Sequence, residues 1–307
     1  MHNPHHPNAP PLRHGVGPSC VALPHSGSGT LLEFLARRMP DIGIDIWRQR
    51  IAEGDVLDEH GVVLTPGRLF EPGLRLYYYR ALPDEPVLPF EAQVLYQDAH
   101  LLVADKPHFM PVTPSGPYLQ NTLLVRLRRQ LDLPHLTPVH RIDRDTAGLV
   151  LFSVQPSTRG AYHALFRDQH IDKTYAAVAP WRSDLVFPLT RHSRLVPGTP
   201  FFRTQEVPGP PNSLTHIEVK AVQGAWARYQ LKPVTGKRHQ LRVHMAALGL
   251  PLRNDPFYPE VCDAPEGDYS RPLQLVAQRL EFTDPLSGAQ HRFESAQPLL
   301  PLPLYEG

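Results

Sequence analysis

The sequence predicts an α+β protein, a mixed and mainly antiparallel sheet flanked by helices and loops around a cleft, with a small α/β module ahead of it. Three observations lead there. From residue 95 onward, short apolar runs of strand character alternate with stretches of helical periodicity. The last two strand-like runs, 273–282 and 290–293, are joined by Asp284-Pro285-Leu286-Ser287-Gly288, a hairpin turn and not a crossover helix. No glycine-rich phosphate loop follows any strand, which argues against a nucleotide-cofactor fold.

Residues 1–26 are rich in proline and histidine (His2, His5, His6, His14, His25) and poor in large apolar side chains. They cannot offset the entropy of ordering and are read as a disordered tail. The histidines lack the spaced carboxylates or cysteines of a metal site. From Thr30, Leu31, Leu32, Phe34 and Leu35 mark one side of a helix that ends near Pro40, and Ile44, Ile46, Trp47 and Ile51 mark a second. Asp58-Glu59-His60-Gly61 is a turn signal, followed by strands over 62–64 and 74–79. Residues 27–80 therefore form a compact module, and the proline-containing stretch 81–94 a stiff linker.

Beyond the linker, 101–104 is a buried strand closed by Asp105-Lys106-Pro107. Asn121 or Thr122 caps a helix over 123–131 that carries Arg126, Arg128 and Arg129. A second buried strand occupies 149–154. Ser157 and Thr158 open a helix with Ala161 and Leu165, and Tyr162 and Phe166, at i, i+4 spacing. A strand follows over 172–178. The proline-rich, basic stretch 184–214 is an extended or hairpin insertion. Strands fit 216–222 and 226–231, and a helix fits 239–248.

At 307 residues, with 41% hydrophobic and 20% charged, the chain has room for two domains and a sizeable core. No apolar stretch reaches the roughly 18–20 residues of a membrane span, and the N-terminus has no hydrophobic leader. Two distant cysteines, Cys20 and Cys262, form neither a disulfide framework nor a zinc pattern, which suits the cytoplasm. A formal net charge of +1 announces no nucleic-acid partner, although a basic cleft can coexist with an acidic exterior.

The densest polar cluster, His140-Arg141-Ile142-Asp143-Arg144-Asp145, runs through Thr146-Ala147-Gly148 into the apolar run Leu149-Val150-Leu151-Phe152. Unpaired ions are costly to bury, so these groups stay wet or find partners, and polar groups at the end of a buried strand commonly form a site. Asp143 or Asp145 is a candidate nucleophile, with Arg141 and Arg144 supplying the positive charge that favours an ionised acid. Either aspartate can equally be a capping group paired to arginine for structure. No Gly-x-Ser-x-Gly elbow and no second suitably spaced acid support a hydrolase. In a second cluster, Thr235 to His244, Gly236 makes a turn and Lys237, Arg238 and Arg242 lie at the start of a helix. The dipole there disfavours cations unless an anion such as phosphate binds, and a solvated basic face is the alternative. Lys173-Thr174-Tyr175 places a cation and an aromatic on one side of a strand.

Together and in this order, these motifs resemble those of the RluA-type pseudouridine synthases. His140 to Gly148 resembles the signature His-Arg-Leu-Asp-Arg-x-Thr-Ser-Gly, Asp105-Lys106-Pro107 the early Lys-Pro motif, and Lys173-Thr174-Tyr175 the Lys-x-Tyr element. Gly236 to His244 resembles Gly-Arg-x-His-Gln-Leu-Arg-Val-His, and Asp255-Pro256-Phe257-Tyr258 follows as in the family. The resemblance covers residues 95–298. Residues 28–80 resemble the small RNA-binding module first seen in ribosomal protein S-four, with Asp58 to Gly61 in place of its usual Val-Asn-Gly turn.

The resemblance implies the pseudouridine synthase fold over 95–307. It also implies an isomerase that converts uridine in structured RNA to its C-glycoside, with rRNA favoured over tRNA. The family works without metal or organic cofactor, and the expectation here is a cytoplasmic monomer. Asp143 matches the catalytic carboxylate, which attacks either the ribose anomeric carbon or the uracil ring. Arg242 matches its arginine partner, and Tyr175 the tyrosine that packs on the base and is a candidate for late proton removal. Arg141 matches the residue that manages the space left by a flipped uridine. Arg144, Lys106, Lys173, Lys237, Arg238, Arg126 and Arg129 are the expected RNA contacts. Three positions depart from the family pattern: Ala147 for serine, Asn254 for glycine and Val276 for histidine. The rival reading is a catalytically silent RNA-binding protein of the same fold acting in ribosome assembly. Intact Asp143, Tyr175 and Arg242 speak against it.

Overall fold

The protein is described from a computed structural model that covers residues 10–80, 84–262, 265 and 267–302. The chain divides into two compact units. One comprises the residues up to 85 together with 114–120 and 128–134; the other comprises 86–113, 121–127 and everything from 135.

The N-terminal unit is built from β1 (Ser19–Ala22), α1 (Leu31–Arg38), α2 (Ile44–Ala52), β2 (Val56–Asp58) and β3 (Arg75–Tyr78). A capping box starts α1: Thr30 Oγ1 accepts the Glu33 N–H at 3.2 Å, and the Glu33 carboxylate accepts the Thr30 N–H at 2.9 Å. The helix buries Leu31, Leu32, Phe34 and Leu35, which meet Trp47 and Ile51 of α2 in one core. The sheet order is β1-β3-β2, antiparallel throughout.

Two expectations are corrected here. Part of the stretch read as a disordered tail is a strand: Ser19–Ala22 pairs with β3, Ser19 opposite Tyr78, and Leu23 is buried. A short strand held by a ladder to residues more than fifty positions away leaves no signal in local composition. Residues 1–9 of that stretch lie outside the described residues. The strand expected over 62–64 is a single bridge, Leu57 to Val63, and β2 takes its place beside β3. The expected linker also changes. Residues 81–83 lie outside the described residues, the Glu85 carboxylate accepts the N–H groups of Leu119 and Gln120, and Gln93 already begins a strand.

The second unit runs β4 (Gln93–Gln97), β5 (Leu101–Lys106), the first five residues of α3 (Leu123–Leu131), whose last four belong to the N-terminal unit, β6 (Thr137–Pro138), β7 (Ala147–Ser153), α4 (Arg159–Arg167) and β8 (Ile171–Pro180). It continues with β9 (Leu189–Pro197), β10 (Thr204–Val207), β11 (Ser213–Gln223), β12 (Trp226–Pro233), α5 (Gln240–Ala247), β13 (Leu275–Thr283) and β14 (Gln290–Glu294). One sheet takes the order β10-β9-β11-β12-β8-β13-β7-β5-β4, with β14 on β13 and β6 on β7. Among the described residues only β13 and β7 run parallel, so the sheet is mixed and mainly antiparallel. The basic stretch 184–214 resolves into the β9–β10 hairpin, which joins this sheet through β11.

Every residue of β7 is buried, which explains its unbroken apolar run. Gly148 has φ 111°, and a Cβ there would lie 2.3 Å from the Ala277 carbonyl oxygen, so only glycine lets β7 close against β13. Helix α5 lays Leu241 and Met245 on Ala177, Leu231 and Leu275, while α4 lays Tyr162 and Leu165 on Leu149 and Leu151. The loop before β7, strand β8 and α5 thus bring the clustered polar residues together.

Candidate active site

Asp143 sits in the loop that leads into β7, its side chain 25% exposed. That loop is pinned at both sides. His140 is half-buried and stacks on Phe166 with ring centroids 4.3 Å apart, and its Nε2 accepts the Leu151 N–H at 3.1 Å. Burial first, and then the nearby Lys173 charge, push the imidazole pKa down to about 3, so His140 is neutral and acts as a mount. Farther on, the Thr146 N–H donates to the Asp143 carbonyl at 3.2 Å.

Arg242 enters from α5 with its side chain 1% exposed. Its Nε and Nη2 grip Asp255 Oδ2 and Oδ1 at 2.9 and 2.6 Å, and its Nη1 reaches Asp143 Oδ2 at 3.4 Å. Asp255 is fixed in turn by the N–H groups of Phe257 and Tyr258, at 2.8 and 3.1 Å. The rings of Phe257 and Tyr258 lie 4.9 and 5.4 Å from the guanidinium carbon. Burial alone disfavours the cation, but the hydrogen-bonded Asp255 and the Asp143 charge outweigh it and hold the Arg242 pKa above the ordinary guanidinium value.

His239 Nε2 lies 3.8 Å from Asp143 Oδ1, and its Nδ1 is 2.9 Å from the Tyr258 hydroxyl. Burial pushes its pKa down despite the Asp143 charge, so the ring is neutral and faces the acid as a polar neighbour. Tyr175 of β8 is raised above the ordinary phenol value, first by burial and then by the Asp143 charge; it remains protonated.

The expected RNA contacts divide. Arg141, Arg144, Arg129 and Lys237 are exposed, Arg144 with its Nε on the buried Asp145 at 3.0 Å. Lys173 is half-buried, with Nζ 3.4 Å from the Val234 carbonyl. Lys106 is a correction: it is fully buried, and its Nζ donates to the carbonyls of Pro107 and Arg144 at 2.9 and 3.1 Å. Its place at the inner end of β5 turns the chain inward, so it braces the loop beside Asp143 and no phosphate reaches it. Arg126 is another. It donates to the carbonyls of Leu88 and Phe90 and to Asn121 Oδ1, fastening the segment before β4. Arg238 is exposed, but it binds the carbonyls of Phe201 and Arg203 and Thr204 Oγ1. Ahead of α5, Gln240 Oε1 takes the Lys237 N–H at 3.0 Å.

Sequence reasoning missed His239 beside Asp143 and Asp255 as the main partner of Arg242. The only available signal was the family-like Asp255-Pro256-Phe257-Tyr258 segment. Two departures prove to be neighbours, since Ala147 and Val276 are register partners across the parallel β7–β13 pair. The third is conformational: Asn254 has φ 61°, a left-handed position that asparagine tolerates better than most residues. Among the described residues no helix is long and apolar enough to cross a membrane.

A family model described as RNA pseudouridylate synthase matches residues 100–247. The dual-specificity RNA pseudouridine synthase RluA of Escherichia coli K12 is 32% identical over 219 residues, which cover 69% of this chain and 94% of that protein. An uncharacterised RNA pseudouridine synthase of Synechocystis is 29% identical over 233 residues, 74% of this chain and 79% of that one. The human RNA Pseudouridylate Synthase Domain Containing 1 has the same fold, with TM-score 0.56 at 23% identity over 71% of this chain and 88% of that chain. The chain belongs to the RluA-type RNA pseudouridine synthases. It is an isomerase acting on RNA.

Proposed function

We propose that Asp143 is the nucleophile of this isomerase, acting on a uridine flipped out of structured RNA, with rRNA favoured over tRNA as the source. One observation carries the reading: a buried Arg242, locked by Asp255, keeps one N–H directed at a half-buried acid. The spare donor orients the Asp143 carboxylate without covering it. Asp143 adds to the nucleoside at the ribose anomeric carbon or at the ring, and the C1′–N1 bond breaks. The base turns, C1′ bonds to C5 as the bond to Asp143 is released, and C5 loses a proton while N1 gains one. Atoms and electrons balance within the nucleotide, so the reading requires neither metal nor organic cofactor. Tyr175, held protonated, packs on the turning base and presents a hydroxyl to it. Proton removal at C5 by its phenolate is disfavoured by the burial that raises its pKa.

Arg141 fills the space left by the uridine, and Arg144, Lys173, Lys237 and Arg129 contact phosphate. The N-terminal unit is a second RNA-binding module, and the enzyme works as a cytoplasmic monomer. The test compares RNA from a deletion strain with RNA from the same strain carrying wild-type or Asp143→Asn protein, with pseudouridines mapped chemically. Restoration of a missing site by wild type alone is expected, with the variant slower by about 10⁴-fold or more in vitro. Unchanged pseudouridines in the deletion strain, with purified protein inert on its rRNA and tRNA, would leave the silent RNA-binding reading.

A further inference from the structure

The β9–β10 hairpin carries an aromatic side chain that the proposed chemistry leaves unused. Phe201, at its tip, is 85% exposed. A single exposed phenylalanine is unremarkable on most surfaces. This one differs in how it is held and in what surrounds it.

The tip is fastened from several directions. Arg238, just ahead of α5, donates to the carbonyls of Phe201 and Arg203, and its Nε reaches Thr204 Oγ1 at 3.3 Å. Arg203 Nη2 donates to the Pro259 carbonyl at 2.7 Å, while its guanidinium carbon lies 4.8 Å from the Tyr258 ring centroid. The Tyr258 hydroxyl accepts the Thr204 N–H at 2.7 Å. Within the tip, the Arg203 N–H donates to the Pro200 carbonyl at 2.8 Å and the Gly198 N–H to the Arg203 carbonyl at 3.0 Å. The backbone under Phe201 is therefore fixed, and little ordering entropy remains for a partner to overcome.

A file of rings leads from that tip to the catalytic acid. Phe201 meets Phe202 edge-on at 5.6 Å, Phe202 meets Phe257 at 5.0 Å, and Phe257 stacks on His239 at 5.8 Å. His239 is the neighbour of Asp143. The hairpin is basic on balance: residues 189–207 contain Arg191, His192, Arg194 and Arg203 against one acid, Glu206, which pairs with Arg191, and Lys237 is exposed ahead of α5.

We infer that Phe201 is a stacking platform for an unpaired nucleobase next to the target uridine, and so a specificity-determining residue. The inference rests on the RNA activity of the family. Rigid aromatic faces among cations are how proteins hold single-stranded nucleotides: the ring takes the base and the cations take the backbone. Stacking tolerates any base, so Phe201 selects for an unstacked nucleotide at a fixed distance from Asp143 and not for a sequence.

The test uses full-length protein with rRNA and tRNA from the deletion strain, labelled with tritium at uridine C5 so that released tritium counts turnovers. Phe201→Ala is expected to lower kcat/KM about tenfold through KM, with kcat within about twofold and the melting temperature unchanged. Phe201→Trp should retain wild-type KM and show emission quenched by RNA, whereas Phe201→Leu should behave as the alanine variant. The slope of log affinity against log salt should not change, because no phosphate contact is removed. Rescue by leucine, an altered salt slope, or a wild-type KM in Phe201→Ala would overturn the assignment. So would a dimer that Phe201→Ala dissociates while RNA binding is unaffected. A wild-type protein that neither binds nor modifies these RNAs would instead remove the RNA activity on which the inference stands.

Discussion

Two aspartates, one in each unit, are built alike and serve different ends. In the N-terminal unit, Asp58 Oδ1 accepts the N–H groups of His60 and Val62 at 2.9 Å each, and Oδ2 accepts Arg68 Nη1 at 2.7 Å. In the second unit, Asp255 accepts two backbone N–H groups and both arms of Arg242. The other nitrogen of Arg68 lies near solvent, 3.6 Å from the exposed Glu71. The remaining nitrogen of Arg242 is sealed inside and faces Asp143. The same device staples a turn in one place and aims a cation at an acid in the other. A buried ion pair does not define a site; a spare donor facing a half-exposed acid does.

The sharpest way to break this comparison is to remove each arginine or its acid. Arg242→Ala leaves Asp255 buried without its cation and is expected to cost about 3–5 kcal/mol in urea unfolding, with loss of activity. A cost below about 1 kcal/mol would mean that water readily replaces the guanidinium and that the lock is not structural. Asp58→Ala strips acceptors from two N–H groups but leaves Arg68 free to hydrate, so a loss of about 2–3 kcal/mol is expected in the N-terminal unit, with kcat unchanged.

Asp58 also has a defined pH signature. Burial raises its carboxyl pKa, but the N–H of Val62, Arg68 and the N–H of His60 outweigh this and hold it below the usual range. Its contribution is therefore complete above about pH 4, the unfolded value, and is lost as pH falls through the lowered folded value. Asp58→Ala should remove that part of the acid transition.

A pH signature at the alkaline end concerns Lys106. Burial pushes its ammonium pKa down to about 7, although the Asp145 and Asp143 charges oppose the shift. The unfolded chain then holds more protons than the folded one between about pH 7 and 10. Stability from this group therefore rises with pH across that window, by at most about 1.4 kcal/mol per unit. Stability curves for wild type and Lys106→Met should differ in slope there, and equal slopes would show that Lys106 stays charged in the fold.

Legibility followed the range of the interactions. The periodicity of Leu31 to Leu35 and of Ile44 to Ile51 placed α1 and α2, because helical contacts lie within a few residues. The apolar run after Gly148 marked β7, since a strand buried on both faces tolerates little else. The strand Ser19–Ala22 was hidden, because its stability comes from β3. Lys106 and Arg126 were read as phosphate contacts since charge suggests exposure, and only packing shows that both are turned onto backbone carbonyls.

By itself, the sequence determined the α+β class, the order of its elements, and a set of ordered motifs specific enough to indicate a family. Each depends on residue identity and local spacing, which the chain carries whether folded or not. Tertiary structure decided which charges are spent on backbone and which face the cleft, that Arg242 is held by Asp255 before it reaches Asp143, and that Phe201 stands exposed on a fixed hairpin. Those facts depend on distances between residues far apart in the chain, and folding alone sets them.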